Sequence, residues 1–451
     1  MADDKKIEAL RVFVLACGQA NTNWIEYYAD KTSKVPTATA IFDLGKSGKS
    51  NDGDDQAVKW ILARIAGFYD LAKADRVITH TIEFVAFSHA DEDHWGRCED
   101  LYTLPRPAKL KIEVNSVYRG GMAWKSGAKA AVRKLADAMK PSDAKILKVI
   151  EKYRSDLKSD GTPLHPFSEK CLCRVVIANA DPVKLATKPL YPSKANASSM
   201  VLVFEMNGKS IMLTGDATWV TMHGINALYG AGVGPADCYA MTLPHHGAIN
   251  TSRNPTNKKE TDDTWIFKKF AKNVAPKRIV ASAGYNNTHK HPQIKAMELF
   301  ETGLTTKSVD HNNIVYNGGD PVSQQRDVHS WTTMGDNSKP VTADSTKSDA
   351  GITYLIPDAE VAAIVDDDDD LVLGRQRLLG AKRKRGGASW GGTSKKKKKK
   401  RTAEPVVRTP LPDNFRHNNI EYLLTSAGRA SVRIFPAGVT DDAQAIPVEQ
   451  E

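Results

Sequence analysis

Apolar residues along the first 320 positions follow two rhythms. Short, nearly continuous apolar runs alternate with stretches in which apolar positions recur every three or four residues, the patterns of buried strands and of helices packed on one face. Strands are predicted at Arg11–Ala16, Thr37–Asp43, Ile82–Phe87, Ile112–Val117, Cys171–Ala178, Met200–Phe204, Ser210–Thr214, Cys238–Leu243 and Arg278–Ala281. Helices are predicted at Asp55–Phe68, Ala128–Arg154, Ala217–Leu228 and Pro292–Glu301, with Trp60 and Phe68 on an apolar, core-facing stripe. Two strand groups separated by a long helical piece give an α/β architecture of two sheet halves with helices outside. Residues 125–158, rich in Ala, Lys and Asp with Pro141 as a start or break, read as a helical insertion.

Beyond about Val322 the texture turns polar. An acidic block, Asp366 to Asp370, precedes Lys382, Arg383, Lys384 and Arg385, a Gly/Ser-rich spacer around Trp390, and then Lys395, Lys396, Lys397, Lys398, Lys399, Lys400 and Arg401. Like charges in blocks repel and solvate themselves, so residues 322–413 are expected to form a disordered linker carrying the basic run 382–401. Residues 1–321 then form the main domain, and 414–451 a short C-terminal segment in which strand-like alternation returns between Asn414 and Pro436.

Composition sharpens this division. The 451 residues are 41% hydrophobic, enough for a sizeable core. The formal net charge is +10, from 63 basic and 53 acidic residues. Eleven of the basic residues lie within 382–401, and without them 52 basic residues face 53 acidic ones. The basic character that suggests a nucleic-acid partner therefore belongs to the linker and not to the body. No run of 18 uncharged apolar residues occurs, and Met1-Ala-Asp-Asp-Lys-Lys leads into strand-like sequence rather than a signal-peptide core. Neither secretion nor membrane insertion is expected. Five scattered cysteines, an odd number, fit a reducing cytoplasm, and Cys171 and Cys173 alternate as same-face strand residues.

Candidate chemistry concentrates in Ser88-His89-Ala90-Asp91-Glu92-Asp93-His94-Trp95-Gly96, which follows an apolar strand. Alternate residues leaving a strand point the same way, so His89, Asp91 and Asp93 can converge while a helix start turns His94 inward. Carboxylates beside imidazoles suit a hydrolytic Zn, Mn or Fe site better than a sulfur-ligated structural one. Three further apolar strands end in polar residues: Gly215-Asp216, Pro244-His245-His246-Gly247, and Gly284-Tyr285-Asn286-Asn287 with His291-Pro292. Four strand ends thus offer Asp, His and Asn to one rim. Trp24, Tyr27 and Tyr28 follow the first strand near that rim, which leaves a substrate-stacking role open. Gly45 to Ser50 looks superficially like a phosphate-binding loop but lacks its spacing, so a nucleotide triphosphatase is rejected.

With the opening strand and Cys17-Gly18-Gln19-Ala20, the Ile41-Phe42-Asp43-Leu44-Gly45 strand, and Asn196 to Ser199, these motifs run in an order that resembles the metallo-β-lactamase fold. Within it, the chain is similar to the metal-dependent domain of ComEC-type competence proteins over about residues 8–320. The resemblance implies an αββα sandwich with two divalent ions, Zn or Mn, at one edge of the two sheets. By position, His89 and Asp91 would serve one ion, Asp93 and His94 the second, and Asp216 would bridge them. One or both of His245 and His246 would complete the shell. Asp91 stands where the broad family has a second His, as in the ComEC-like branch. The family's middle histidine has no clear match: His165 is the only histidine from residue 95 to 215, in a Leu-His-Pro context.

Metal-activated water and in-line attack on phosphorus make phosphodiester hydrolysis the leading expectation, with DNA favoured by the ComEC resemblance. Asp93 would also orient water, and His291, Asn286 and Asn287 would contact the phosphate or leaving group. The basic run would add salt-sensitive affinity for nucleic acid. The alternatives are a small-molecule hydrolase of the same fold, acting on a lactone, thioester or phosphoester, and a degenerate binding module recruited by the basic run.

Overall fold

A computed structural model describes residues 7–46, 56–120, 122–141, 146–150, 164–180, 193–235, 237–253, 264–282, 296, 299–300, 329–332, 418–436, 440 and 446–450. The chain is mixed α/β. Its strands are β1 (Ala9–Val14), β2 (Thr22–Tyr28), β3 (Ala38–Leu44), β4 (Ile78–Ile82), β5 (Phe84–Phe87), β6 (Leu110–Val114), β7 (Val117–Gly120), β8 (Leu147–Ile150) and β9 (His165–Pro166) in the N-terminal part. They continue as β10 (Cys171–Ile177), β11 (Val201–Met206), β12 (Lys209–Leu213), β13 (Asp237–Thr242), β14 (Arg278–Ala281), β15 (His329–Thr332), β16 (Asn418–Thr425), β17 (Ala430–Pro436) and β18 (Ile446–Gln450). One sheet has the order β18-β17-β16-β1-β2-β3-β5-β7-β8, a second β15-β14-β13-β12-β11-β10-β9, and β4 and β6 form a parallel pair.

Strand residues divide by parity because successive side chains leave opposite faces. Leu10, Val12, Ala40, Phe42, Phe84 and Ala86 of the first sheet share a buried cluster with Cys171, Cys173, Leu202, Phe204, Ile211 and Leu213 of the second. The odd partners of these residues face the helices. Phe13, Ile41, Val85 and Phe87 pack with Trp60, Ile61 and Ile65 of helix Gln56–Gly67 and with Val132 and Leu135 of helix Ser126–Met139. On the second sheet, Val201, Val203, Met212 and Met241 meet helices Trp219–Gly230 and Trp265–Val274. Burial on both faces explains why these strands read as continuous apolar runs.

Three expectations are corrected. Trp24, Tyr27 and Tyr28 lie in β2, a strand missed because its polar Asn23 and Glu26 break the apolar run, and all three are buried. They are core residues, and the Trp24 indole donates to Glu26 rather than facing a substrate. The long helix expected over 128–154 ends at Met139, just before Pro141, and β8 follows at 147–150. The strand expected at 112–117 is divided between β6 and β7. Cys171 and Cys173 do share the inter-sheet face, and all five cysteines are buried and unbridged. Among the described residues no helix is long and apolar enough to cross a membrane. The linker with its basic run lies outside the described residues apart from β15.

The chain's two ends are joined through buried charge. Glu26 accepts from Arg64 (Nε to Oε1, 2.7 Å), from Trp24 (2.8 Å) and from the Tyr28 hydroxyl (2.9 Å), and pairs with Arg11 at 3.2 Å. Arg11 also binds Glu421 of β16, which Arg433 of β17 contacts as well. Burial works to raise the Glu26 carboxyl, but Arg11 and Arg64 outweigh it and hold it below its usual value. A buried charge stripped of its partner is expensive, so Glu26→Ala should cost roughly 3–5 kcal/mol in urea unfolding; a cost below about 1 kcal/mol would contradict the network's importance.

A second buried polar group sets the acid limb. The His80 ring lies between the Thr39 hydroxyl and the Tyr69 hydroxyl, both at 2.9 Å, and burial pushes its pKa down from 6.5 to about 4. The unfolded chain then binds this proton first, so stability is full above about pH 6.5 and falls as pH drops toward 4, by up to about 3 kcal/mol. His80→Gln should flatten the stability profile in that window; an unchanged slope would refute the assignment.

Candidate metal centre

Strand direction gathers the polar residues. β12, β13, β14 and β15 run parallel, as do β3, β5, β7 and β8, so each group delivers its C-terminal ends to one edge. The two edges meet through glycine. Gly215 has φ +52°, and a Cβ there would lie 2.6 Å from Ser88 Cβ and 2.7 Å from Ser199 Oγ, so only glycine permits both the turn and the approach. Gly45 plays the same part after β3, where a Cβ would lie 1.8 Å from the Asp93 carbonyl oxygen.

The loop after β5 carries Ser88, His89 and Asp91 into a one-turn helix, Glu92–Trp95, that holds Asp93 and His94. After β12, the Asp216 backbone N–H donates to Ser199 Oγ at 3.1 Å, fixing the carboxylate's departure. After β13, His245 (φ 47°) and His246 (φ 52°) both occupy the left-handed region. That region costs an L-residue roughly 1–2 kcal/mol, and here it sends two adjacent imidazoles to opposite sides of one carboxylate.

Asp216 is that carboxylate. Its Oδ1 lies 3.0 Å from His94 Nε2 and 3.4 Å from His246 Nε2, while Oδ2 lies 3.2 Å from His245 Nε2 and 3.7 Å from His89 Nε2. Asp93 joins the first side, 3.8 Å from His94 Nε2 and 3.6 Å from His246 Nε2. Asp91 joins the second, 3.5 Å from His89 Nε2. Ligand atoms of Asp93, His94, Asp216 and His246 all fall within 4.8 Å of one another.

Hydrogen bonds behind the rings determine which nitrogen faces inward. His246 Nδ1 lies 2.8 Å from the Ser282 carbonyl oxygen, which only accepts, so Nδ1 carries the proton. His94 Nδ1 lies 2.8 Å from Asp43 Oδ2 and 2.9 Å from Ser88 Oγ, and His89 Nδ1 lies 3.0 Å from the same hydroxyl. Asp43, which only accepts, likewise takes the His94 Nδ1 proton, so in the neutral rings of His94 and His246 the inward Nε2 is the lone-pair nitrogen. His89 Nε2, His94 Nε2, His246 Nε2 and Asp216 Oδ1 are buried and have no hydrogen-bond partner. Buried polar atoms are rarely left so, and three imidazole nitrogens facing a carboxylate match the donor set of a divalent ion, with the groups behind Nδ1 as its outer support.

Charge agrees with that fit. Burial opposes ionisation of Asp216, yet His245, His94 and His246 hold its carboxyl well below the usual range. Asp93 is brought to about 2, its burial outweighed by His94 and His246. His94 and His246 are raised, against burial, chiefly by Asp216, while burial prevails at His245 and lowers it. Among the described residues the Asp91 side chain is 44% exposed, that of Asp93 27% and that of His245 19%, whereas His89, His94 and His246 are buried.

The structure thus brings together His89, Asp91, Asp93, His94, Asp216, His245 and His246. His291, Asn286 and Asn287 lie outside the described residues. His165 packs against Phe84 and Phe167, with centroids 5.9 and 4.7 Å away, while His245 occupies the side of Asp216 shared with His89. Asp43 was part of a quoted motif, but nothing in the sequence gave it a role; a buried aspartate with φ +65° at a strand end is revealed only by its contact to His94.

No protein-family model and no curated protein matches the chain. Among solved structures it is similar to a mutant of the CmlA β-hydroxylase at 9% identity and TM-score 0.30, covering 64% of this chain and 48% of that one. The chain therefore spans about half the length of that protein. It is also similar to a diphosphatase from the PhnP family (8% identity, 66% of this chain, 93% of that chain, TM-score 0.32). A third similar structure is a protein of unknown function from Enterococcus faecalis V583 (10% identity, 75% of this chain, 78% of that chain, TM-score 0.26). These overlays are loose, and the geometry of the centre carries the functional reading.

Ligation requires His94 and His246 to give up the protons that their raised pKa values favour. Metal binding should therefore release protons and weaken as pH falls, seen by calorimetry in buffers of different ionisation enthalpy. Binding that is independent of pH between 5.5 and 8 would contradict the ligand set.

Proposed function

We propose that this chain is a metal-dependent hydrolase of the metallo-β-lactamase fold, an αββα sandwich that cleaves phosphodiester bonds in DNA with two divalent ions, Zn or Mn. The carrying observation is that each oxygen of Asp216 faces its own pair of imidazole nitrogens. In this reading His89, Asp91 and His245 would hold one ion and Asp93, His94 and His246 the other, with Asp216 placed between the two sets. Divalent ions there supply Lewis-acid charge and make water nucleophilic at neutral pH.

The protein's own groups do the rest. Asp93, partly exposed, would orient the attacking water. Asp43 and the Ser282 carbonyl fix the tautomers of neutral His94 and His246, and Ser88 holds the His89 ring. His291, Asn286 and Asn287 follow Ser282 in sequence and are proposed to contact the phosphate or the leaving group. The five unbridged cysteines agree with a cytoplasmic setting.

DNA is favoured by the placement of the basic run's anchors, together with the ComEC resemblance. Thr332 pairs with Ala281, next to the Ser282 that supports His246. At the other anchor, Asn419 accepts from the Ala16 N–H, close to Ala20, whose carbonyl accepts from Ser282. The segment 333–417, which contains the eleven basic residues of 382–401, is therefore anchored at both of its ends beside the centre.

Mn- or Zn-loaded protein should cut DNA and bis(p-nitrophenyl) phosphate, and the double variant His89→Ala, Asp93→Asn should lose at least 10³-fold of both. Loaded protein that leaves every nucleic acid intact but hydrolyses a lactone, thioester or phosphomonoester would establish the small-molecule alternative. Purified protein that takes up no metal would establish the degenerate module. Deleting residues 382–401 should weaken DNA binding chiefly at low salt and leave small-diester turnover unchanged; equal loss of both would assign the run to folding.

A further inference from the structure

Asn196 is a buried carboxamide beside the centre, 7% exposed, on the one-turn helix Lys194–Ala197. Its orientation is fixed from both ends. The Asn196 backbone N–H donates to Ser193 Oγ at 3.1 Å, and the Ser193 hydroxyl in turn donates to Asn196 Oδ1. With its oxygen engaged there, the amide nitrogen is directed at His245. Nδ2 lies 3.3 Å from His245 Nε2 and 3.5 Å from Nδ1.

A point almost equidistant from both ring nitrogens lies over the imidazole face, because in the ring plane it would collide with Cε1. Neither distance is therefore a hydrogen bond along a nitrogen lone pair. His245 Nε2 faces Asp216 Oδ2 at 3.2 Å, and Nδ2 is a donor only. Among the described residues a nine-tenths-buried NH2 group thus sits above one imidazole of the centre without an in-plane acceptor.

We propose that Asn196 is a catalytic residue that donates from Nδ2 to a non-bridging phosphoryl oxygen of the substrate. The inference rests on the hydrolase reading above and adds the group that binds the substrate's anionic oxygen. In hydrolysis the water oxygen forms a new bond to phosphorus, the ester P–O bond breaks, and the leaving oxygen takes up a proton. Negative charge on the non-bridging oxygens persists throughout, and a fixed donor in a water-poor site stabilises it without reorganising.

The test uses the full chain, metal-loaded, as wild type, Asn196→Ala and Asn196→Asp. Metal content and melting temperature should match wild type in Asn196→Ala. Its kcat for bis(p-nitrophenyl) phosphate should fall 10²- to 10³-fold, and inorganic phosphate should bind at least tenfold more weakly by calorimetry. Asn196→Asp, of the same shape but without the donor, should fall at least as far. Unchanged turnover and phosphate affinity in Asn196→Ala would overturn the proposal, as would loss of metal, which would make Asn196 a support for His245. Phosphate binding separates this inference from the hydrolase reading. If wild type binds phosphate through Asn196 but cleaves nothing, the anion site stands and the hydrolase reading fails; if loaded wild type binds no phosphate, the anion site itself is overturned.

Discussion

One carboxylate, that of Asp216, determines how the rest of the centre is arranged. It is buried among four imidazoles contributed by two sheets, and it stays ionised because their charge outweighs the cost of its burial. The same carboxylate raises His94 and His246 against their burial. Asp93 and Asp43 supply part of the balance at His94. The unpartnered Nε2 atoms of His89, His94 and His246 are what a divalent ion would satisfy.

Bringing groups from two sheets so close imposes backbone demands that ordinary side chains do not meet. Gly215 lets the end of β12 touch Ser88, and Gly45 lets the end of β3 touch the Asp93 carbonyl. His245 and His246 hold left-handed conformations side by side, a cost that persists only where the surroundings impose it. Their His245 N–H donates to the Gly215 carbonyl at 3.0 Å, so the strained turn is tied to the glycine that made the approach. Elsewhere in that sheet, Arg11 of β1 joins Glu26 of β2 to Glu421 of β16. The sheet that presents His89 and His94 is thereby completed by residues from the far end of the chain.

Much of this was legible from residue order. Apolar runs placed β1, β3, β5 and β10 to β14 because strands covered on both faces have little polar content. The strand-end motifs named Asp216 and the six residues that the fold gathers around it. What the sequence concealed has physical causes. β2 was hidden by Glu26, whose charge is matched only by arginines distant in sequence. Asp43 looked like a strand terminus, since its partner His94 is 51 residues away. The division of labour between His245 and His246 depends on two left-handed φ angles that no residue preference announces, and Ser282 acts through a backbone carbonyl, which any residue could supply.

The central claim, that Asp216 is shared by two divalent ions, is tested most directly by electron paramagnetic resonance of the Mn(II)-saturated protein. Two ions joined by one carboxylate should give the broadened spectrum of a spin-coupled pair, and Asp216→Asn should abolish it. An isolated six-line Mn(II) signal persisting at full loading of the wild-type protein would contradict the shared centre.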